Sequence, residues 1–164
     1  MLTGRFTRSR GFSLLELVIV VVIIGIIAAI AIPRMSRGTA GAADSALSGD
    51  LAVLRNAIDL FAAEHNGKFP LAASIVTQLT QYTDDANDSA PVATKDATHP
   101  FGPYLRAVPK LPVGTNKGST TITGTGPAGA TAGAGWYYDE ATGKIVANCG
   151  AGEADSQGTK YSDY

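Results

Sequence analysis

From residue 12 to residue 32 the chain runs for 21 positions with one charge, Glu16. A helix of about 20 apolar residues crosses the roughly 30 Å hydrocarbon core of a bilayer, so this run predicts a membrane-spanning helix that is apolar on every side. Farther on, the pattern changes period. Leu47, Leu51, Leu54, Ile58 and Phe61 recur at spacings of four and three, one stripe along an amphipathic helix. Asp50, Arg55, Asp59 and Glu64 fall on or near its wet side. "HNGKFP" ends it, with Gly67 suited to a left-handed C′ position and Pro70 unable to continue. His65 in the last turn suits the negative end of the helix dipole. Together the segments predict one long spine with two solvents: an apolar half at 12–32 and an amphipathic half at 33–66. Pro33 removes one helical hydrogen bond and is expected to kink it.

The remaining residues, 67–164, read as a small, loop-rich β domain packed against the leucine stripe. Residues 71–83 fit neither a helical nor a strand period, and 84–100 form a polar surface loop. The proline-punctuated segment 101–114 has apolar residues enough to pack on the spine. Residues 114–135 are rich in Gly, Thr and Ala, with one candidate strand at 120–123 in a flexible excursion. Their glycines lack phosphate-loop spacing. "GWYYDEATGKIVAN" gives a hairpin over 136–148, with Trp136 and Tyr138 on one face and Gly143 at a left-handed turn position. The polar tail after it is expected to be mobile. The fold class is α+β: a long N-terminal helix on a small antiparallel sheet with long loops.

Charge adds a direction. Arg5, Arg8 and Arg10 precede the apolar run, and no acid accompanies them. Removing those three from 13 Lys and Arg, and Glu16 from 14 Asp and Glu, leaves 10 against 13, about −3, for the rest. The basic flank favours a cytoplasmic N-terminus and an outer body, although Arg34 and Arg37 stand on the far side. A weakly acidic body gives no basic stripe for nucleic acid. Two histidines and one cysteine, without metal spacing or a nucleophile motif, point away from an enzyme. Cys149 alone cannot close an intrachain disulfide.

Glu16 needs a reason, because a carboxylate in a spanning helix costs several kcal/mol unless it reaches the interface or a partner. The run is longer than a secretory h-region, yet Ala29-Ile30-Ala31 offers a signal-peptidase site. Cleavage after Gly11 instead would free an α-amino group on Phe12, and that cation could compensate Glu16. A carboxylate that merely snorkels is the simpler alternative.

"RGFSLLELVIVVVIIGIIAAIAIP" resembles the N-terminal signature of type IV pilins and type II secretion pseudopilins: a basic leader ending in Gly11, Phe12, Glu16 four residues later, and Pro33 after the run. The resemblance implies cleavage of leader 1–11 by a prepilin peptidase, N-methylation of Phe12, and assembly into a helical homopolymer in which Glu16 neutralises a neighbour's amino terminus. "LRNAIDLFAAEHNGKFP" and "GPYLRAVP" are similar to the major, G-type pseudopilin, which implies minor pseudopilins and an inner-membrane assembly platform as partners and a periplasmic filament that drives export. Two departures stand out. "KLPVG" replaces the family's Asp-Pro-Trp-Gly-type step, and its acidic calcium loop has no clear counterpart. Asp139, Glu140, Glu153, Asp155 and Asp163 supply carboxylates without a ligand spacing, so no cofactor is assigned and calcium has no ligand set. A true pilin for adhesion, motility or DNA uptake, and a membrane-anchored domain of unrelated function, are the alternatives.

Overall fold

A computed structural model describes residues 11–85, 90–125 and 131–164, and the backbone alone at 31–38. The leader ahead of Gly11 lies outside it. One helix, α1 (Leu14–Glu64), spans 51 residues and both predicted halves. Its backbone is helical through Pro33. The chain divides into two units, Met1–Thr39 and Ala40–Tyr164.

In the first unit the described side chains of α1 are exposed on every side. Fourteen large apolar side chains between Phe12 and Ile30 are 43–81% exposed. Burying a Val, Leu or Ile fully gains about 1.5–3 kcal/mol, so covering this set is worth on the order of 10–20 kcal/mol. Among the described residues no helix is long and apolar enough to cross a membrane.

In the second unit the leucine stripe is buried as predicted: Leu47, Leu51, Leu54, Ile58 and Phe61 are each at most 1% exposed. The end of α1 differs by one residue. The left-handed turn begins at Asn66 (φ 55°), which takes the C′ place, and Gly67 (φ 79°) follows it, donating its N–H to the Ala62 carbonyl at 2.8 Å. That six-to-one bond satisfies a carbonyl the helix would otherwise leave free. His65 is buried in the last turn. Its Nδ1 donates to the Phe61 carbonyl at 2.8 Å, and its ring lies flat on Phe61 at 3.8 Å.

Residues 71–83 resolve into a short helix, α2 (Ile75–Thr80), and then two bridges, Tyr82 to Val92 and Thr83 to Phe101. The segment 101–114 packs inward through Leu105, Val108, Leu111 and Val113. Three strands follow: β1 (Ile122–Thr123), β2 (Trp136–Asp139) and β3 (Lys144–Ala147), in that spatial order. The hairpin pairs Trp136 with Ala147 and Tyr138 with Ile145. Gly143 takes φ 71°, and a Cβ there would run into the Phe69 ring. Trp136 and Tyr138 are fully buried, and each polar tip has a carbonyl: Nε1 to Pro109 and the hydroxyl to Pro70, both 2.9 Å.

Two expectations need correction. The sheet is mixed, not antiparallel, because β1 pairs with β2 in parallel. Parallel neighbours need a connection that returns to the starting end, and the glycine-rich stretch between β1 and β2 supplies it. Asparagines pin its later end. Asn148 Nδ2 donates to the Thr131 and Ala134 carbonyls, while Asn116 accepts from Gly133 N–H. The tail is not free either. A 3-10 turn (Tyr161–Asp163) lies beside β3; Tyr161 donates to Asp44 at 3.1 Å, and Arg55 of α1 donates to the Tyr164 carbonyl at 2.5 Å.

Candidate functional site

The N-terminal end of α1 is built from residues 12–17. Ser13 is its N-cap: the Ser13 carbonyl accepts the first helical bond, from Leu17 N–H at 3.2 Å. Its hydroxyl accepts from Leu15 N–H at 3.3 Å. Glu16 closes the arrangement from the other side, taking the Ser13 N–H on Oε2 at 3.2 Å. This is a capping box, in which side chains satisfy backbone donors that the first turn leaves free. The Ser-x-x-Glu spacing at 13–16 was a readable signal for it. A negative group there is also favoured by the positive end of the helix dipole.

That geometry changes what Glu16 can do. The carboxylate is exposed and sits at the first turn, not midway along the apolar run. It accepts one protein hydrogen bond among the described residues, while a carboxylate has about four acceptor positions. Phe12 precedes the N-cap and is 80% exposed, and Gly11 is exposed beside it. The bond between them is therefore open to a peptidase. Cutting it converts the Phe12 amide into a cationic α-amino group, one residue from the N–H that Glu16 already holds. Once cut there, the same end would present a cation beside the Glu16 carboxylate.

The other sequence candidates fall elsewhere. The five carboxylates near the C-terminus are dispersed into local bonds. Asp139 holds Ala141 N–H and the Thr142 hydroxyl, Glu140 holds Ala72 N–H, and Asp163 accepts from the Ser162 hydroxyl. Glu153 ties two loops together, with Oε1 taking the Thr115 N–H and hydroxyl and Oε2 the Gly150 N–H. The Thr115 hydroxyl bond leads the effects that hold its pKa below the usual carboxylate range. Asp155 is also lowered, first by the Tyr164 hydroxyl. Among the described residues no three His, Cys, Asp or Glu converge as a metal would require. Cys149 is 1% exposed, and burial foremost, with Glu153 nearby, pushes its thiol up to about 11.

The family described as the prokaryotic N-terminal methylation motif matches residues 6–32. The chain carries this motif. It takes in Gly11, Phe12 and Glu16, and it supports a type IV pilin-like structural protein. The methylation motif covers 27 residues of 164, counted from 6 through 32, and the body beyond them lies outside it. No curated protein and no solved structure matches the chain.

Proposed function

We propose that the chain is a structural subunit of a type II secretion pseudopilus. In this reading a prepilin peptidase removes residues 1–11, Phe12 is N-methylated, and residues 12–32 hold the processed subunit in the inner membrane with its body in the periplasm. An assembly platform then stacks subunits, with minor pseudopilins, into a filament that drives export. The observation that carries the proposal is the methylation motif on a capped helix end whose described apolar side chains are exposed. A helix exposed all round needs lipid in one state and other helices in the next. A pilin-like filament supplies both.

A true pilin shares the N-terminus. The body favours the pseudopilin, because Cys149 is the chain's one cysteine and is buried, so no disulfide-bounded loop braces an outer surface. The test has two parts. N-terminal sequencing and intact mass of the membrane-extracted protein should give a chain beginning at methylated Phe12; a chain beginning at Ile32 would mean ordinary signal cleavage and end the proposal. Deleting the gene should then abolish export of secreted proteins and leave motility and DNA uptake intact; the reverse pattern would establish the pilin.

A further inference from the structure

The face of α1 turned away from the leucine stripe is unusual for a surface helix. Gly49, Ala52, Val53, Asn56, Asp59, Leu60 and Ala63 fall on that side of the helix and are all exposed. Val53 and Leu60, two turns apart, are 50% and 51% exposed, so the face is apolar at its centre. Its formal charges are Asp59, which has no hydrogen bond or ion pair among the described residues, and at its end Glu64, which accepts from the Tyr104 hydroxyl at 2.6 Å. The helix's nearest cation, Arg55, is turned inward to the Ile145 and Tyr164 carbonyls.

A second surface has the opposite character. Between Tyr104 and Leu111 the backbone is anchored from below: Leu105, Val108 and Leu111 are buried, the Tyr104 and Leu105 N–H groups bond the Leu79 carbonyl, and Trp136 holds the Pro109 carbonyl. The anchors recur every third residue, which presents Arg106, Ala107 and Lys110 outward. Neither cation has a partner among the described residues. The chain therefore carries an apolar face with an unpaired anion and a firmly seated ridge with two unpaired cations, on different elements.

We propose that the exposed face of α1 over 49–63 docks onto the Arg106–Lys110 ridge of a second copy of this chain, with Asp59 opposite the cations. The two patches differ, so the contact is heterologous. A heterologous contact that does not close a ring repeats into a helical filament, and no two-fold dimer satisfies it. Charge complementarity chooses the partner and the register, while Val53 and Leu60 supply apolar area at the centre. The inference rests on the filament reading and adds the surface that would set subunit order.

The test uses the full chain with its processing and assembly machinery, scoring sheared filaments beside the processed subunit pool. Asp59→Lys alone, and Arg106→Asp with Lys110→Asp, should each cut filaments by roughly tenfold or more while leaving processing intact. All three substitutions together should restore them. Because these side chains are exposed and unbonded, melting temperatures of the variants should stay within a few degrees of wild type, which separates lost docking from lost folding. As a second readout, Leu60→Cys with Ala107→Cys should give disulfide-linked ladders of subunits. Normal filaments from the charge variants, or loss that the combined change does not restore, would overturn this interface and leave the filament reading standing. Absence of filaments from the wild-type chain would overturn both.

Discussion

Leu54 and Val53 are neighbours in sequence about 100° apart around α1, one facing the core and one solvent, and that makes them a sensitive pair. Leu54 is fully buried in the core with Leu51, Ile58, Phe61 and the hairpin, whereas Val53 is half exposed. Leu54→Ala removes buried methyl groups and leaves a void that a packed interior closes only partly, a loss of roughly 2–5 kcal/mol. The unit Ala40–Tyr164 contains 125 residues, from 164 minus 39. At about 2.1 cal/mol/K per residue its unfolding entropy is about 260 cal/mol/K, so each kcal/mol shifts Tm by about 4 °C. Leu54→Ala should lower Tm by roughly 8–20 °C. Val53→Ala should move it by at most about 2 °C, as a surface change does. The assay is thermal unfolding by circular dichroism on a chain lacking residues 1–34, which should itself be soluble because its leucine stripe is covered. Equal shifts at the two positions, or a Leu54→Ala loss below about 1 kcal/mol, would mean that the stripe does not define the core.

Tyr138→Phe leaves the Pro70 carbonyl buried without its donor and should cost about 1–3 kcal/mol by denaturant titration; an unchanged midpoint would remove that bond from the fold. Glu153 and Asp155 have folded pKa values below their ordinary ones, so what they contribute is present above about pH 4 and is lost as pH falls through the folded values. Stability measured from pH 6 to pH 2.5 should therefore fall more steeply in wild type than in Glu153→Gln with Asp155→Asn, and parallel curves would refute it. Cys149, buried and with its thiol raised to about 11, should resist a thiol reagent at pH 8 in the folded chain and react at once in denaturant. Rapid labelling of the native protein would contradict its placement.

Where a segment's own periodicity decides its partner, the fold was legible in the sequence. The leucine stripe, the Trp136 and Tyr138 face and the Gly143 turn each follow from spacing within a few residues. What spacing could not show is pairing across distance. The parallel partnership of β1 with β2 depends on a loop whose later end is held by Asn116 and Asn148, residues with no period of their own. The tail looked mobile because it is polar, yet Tyr161 and Tyr164 dock through hydroxyl and carbonyl bonds to Asp44, Asp155 and Arg55. At the N-terminus, Gly11, Phe12 and Glu16 stood out by their spacing. Ser13 carries no charge to mark it, although its hydroxyl and Glu16 together form the cap.

The central claim is that Glu16 serves assembly, and Glu16→Leu tests it most directly. The change makes the apolar run more hydrophobic, so membrane insertion should improve or stay the same. Gly11 is untouched, so processing should persist. A subunit entering a filament would then have to bury the Phe12 α-amino group with no carboxylate opposite it, at a cost of several kcal/mol. Glu16→Asp, with a shorter arm, should restore assembly only in part. The measurement is the ratio of sheared filaments to processed, membrane-held subunit in the Glu16→Leu strain against wild type. Processed subunit with almost no filaments is the result expected. Filaments at the wild-type ratio would show that Glu16 does no more than cap its own helix.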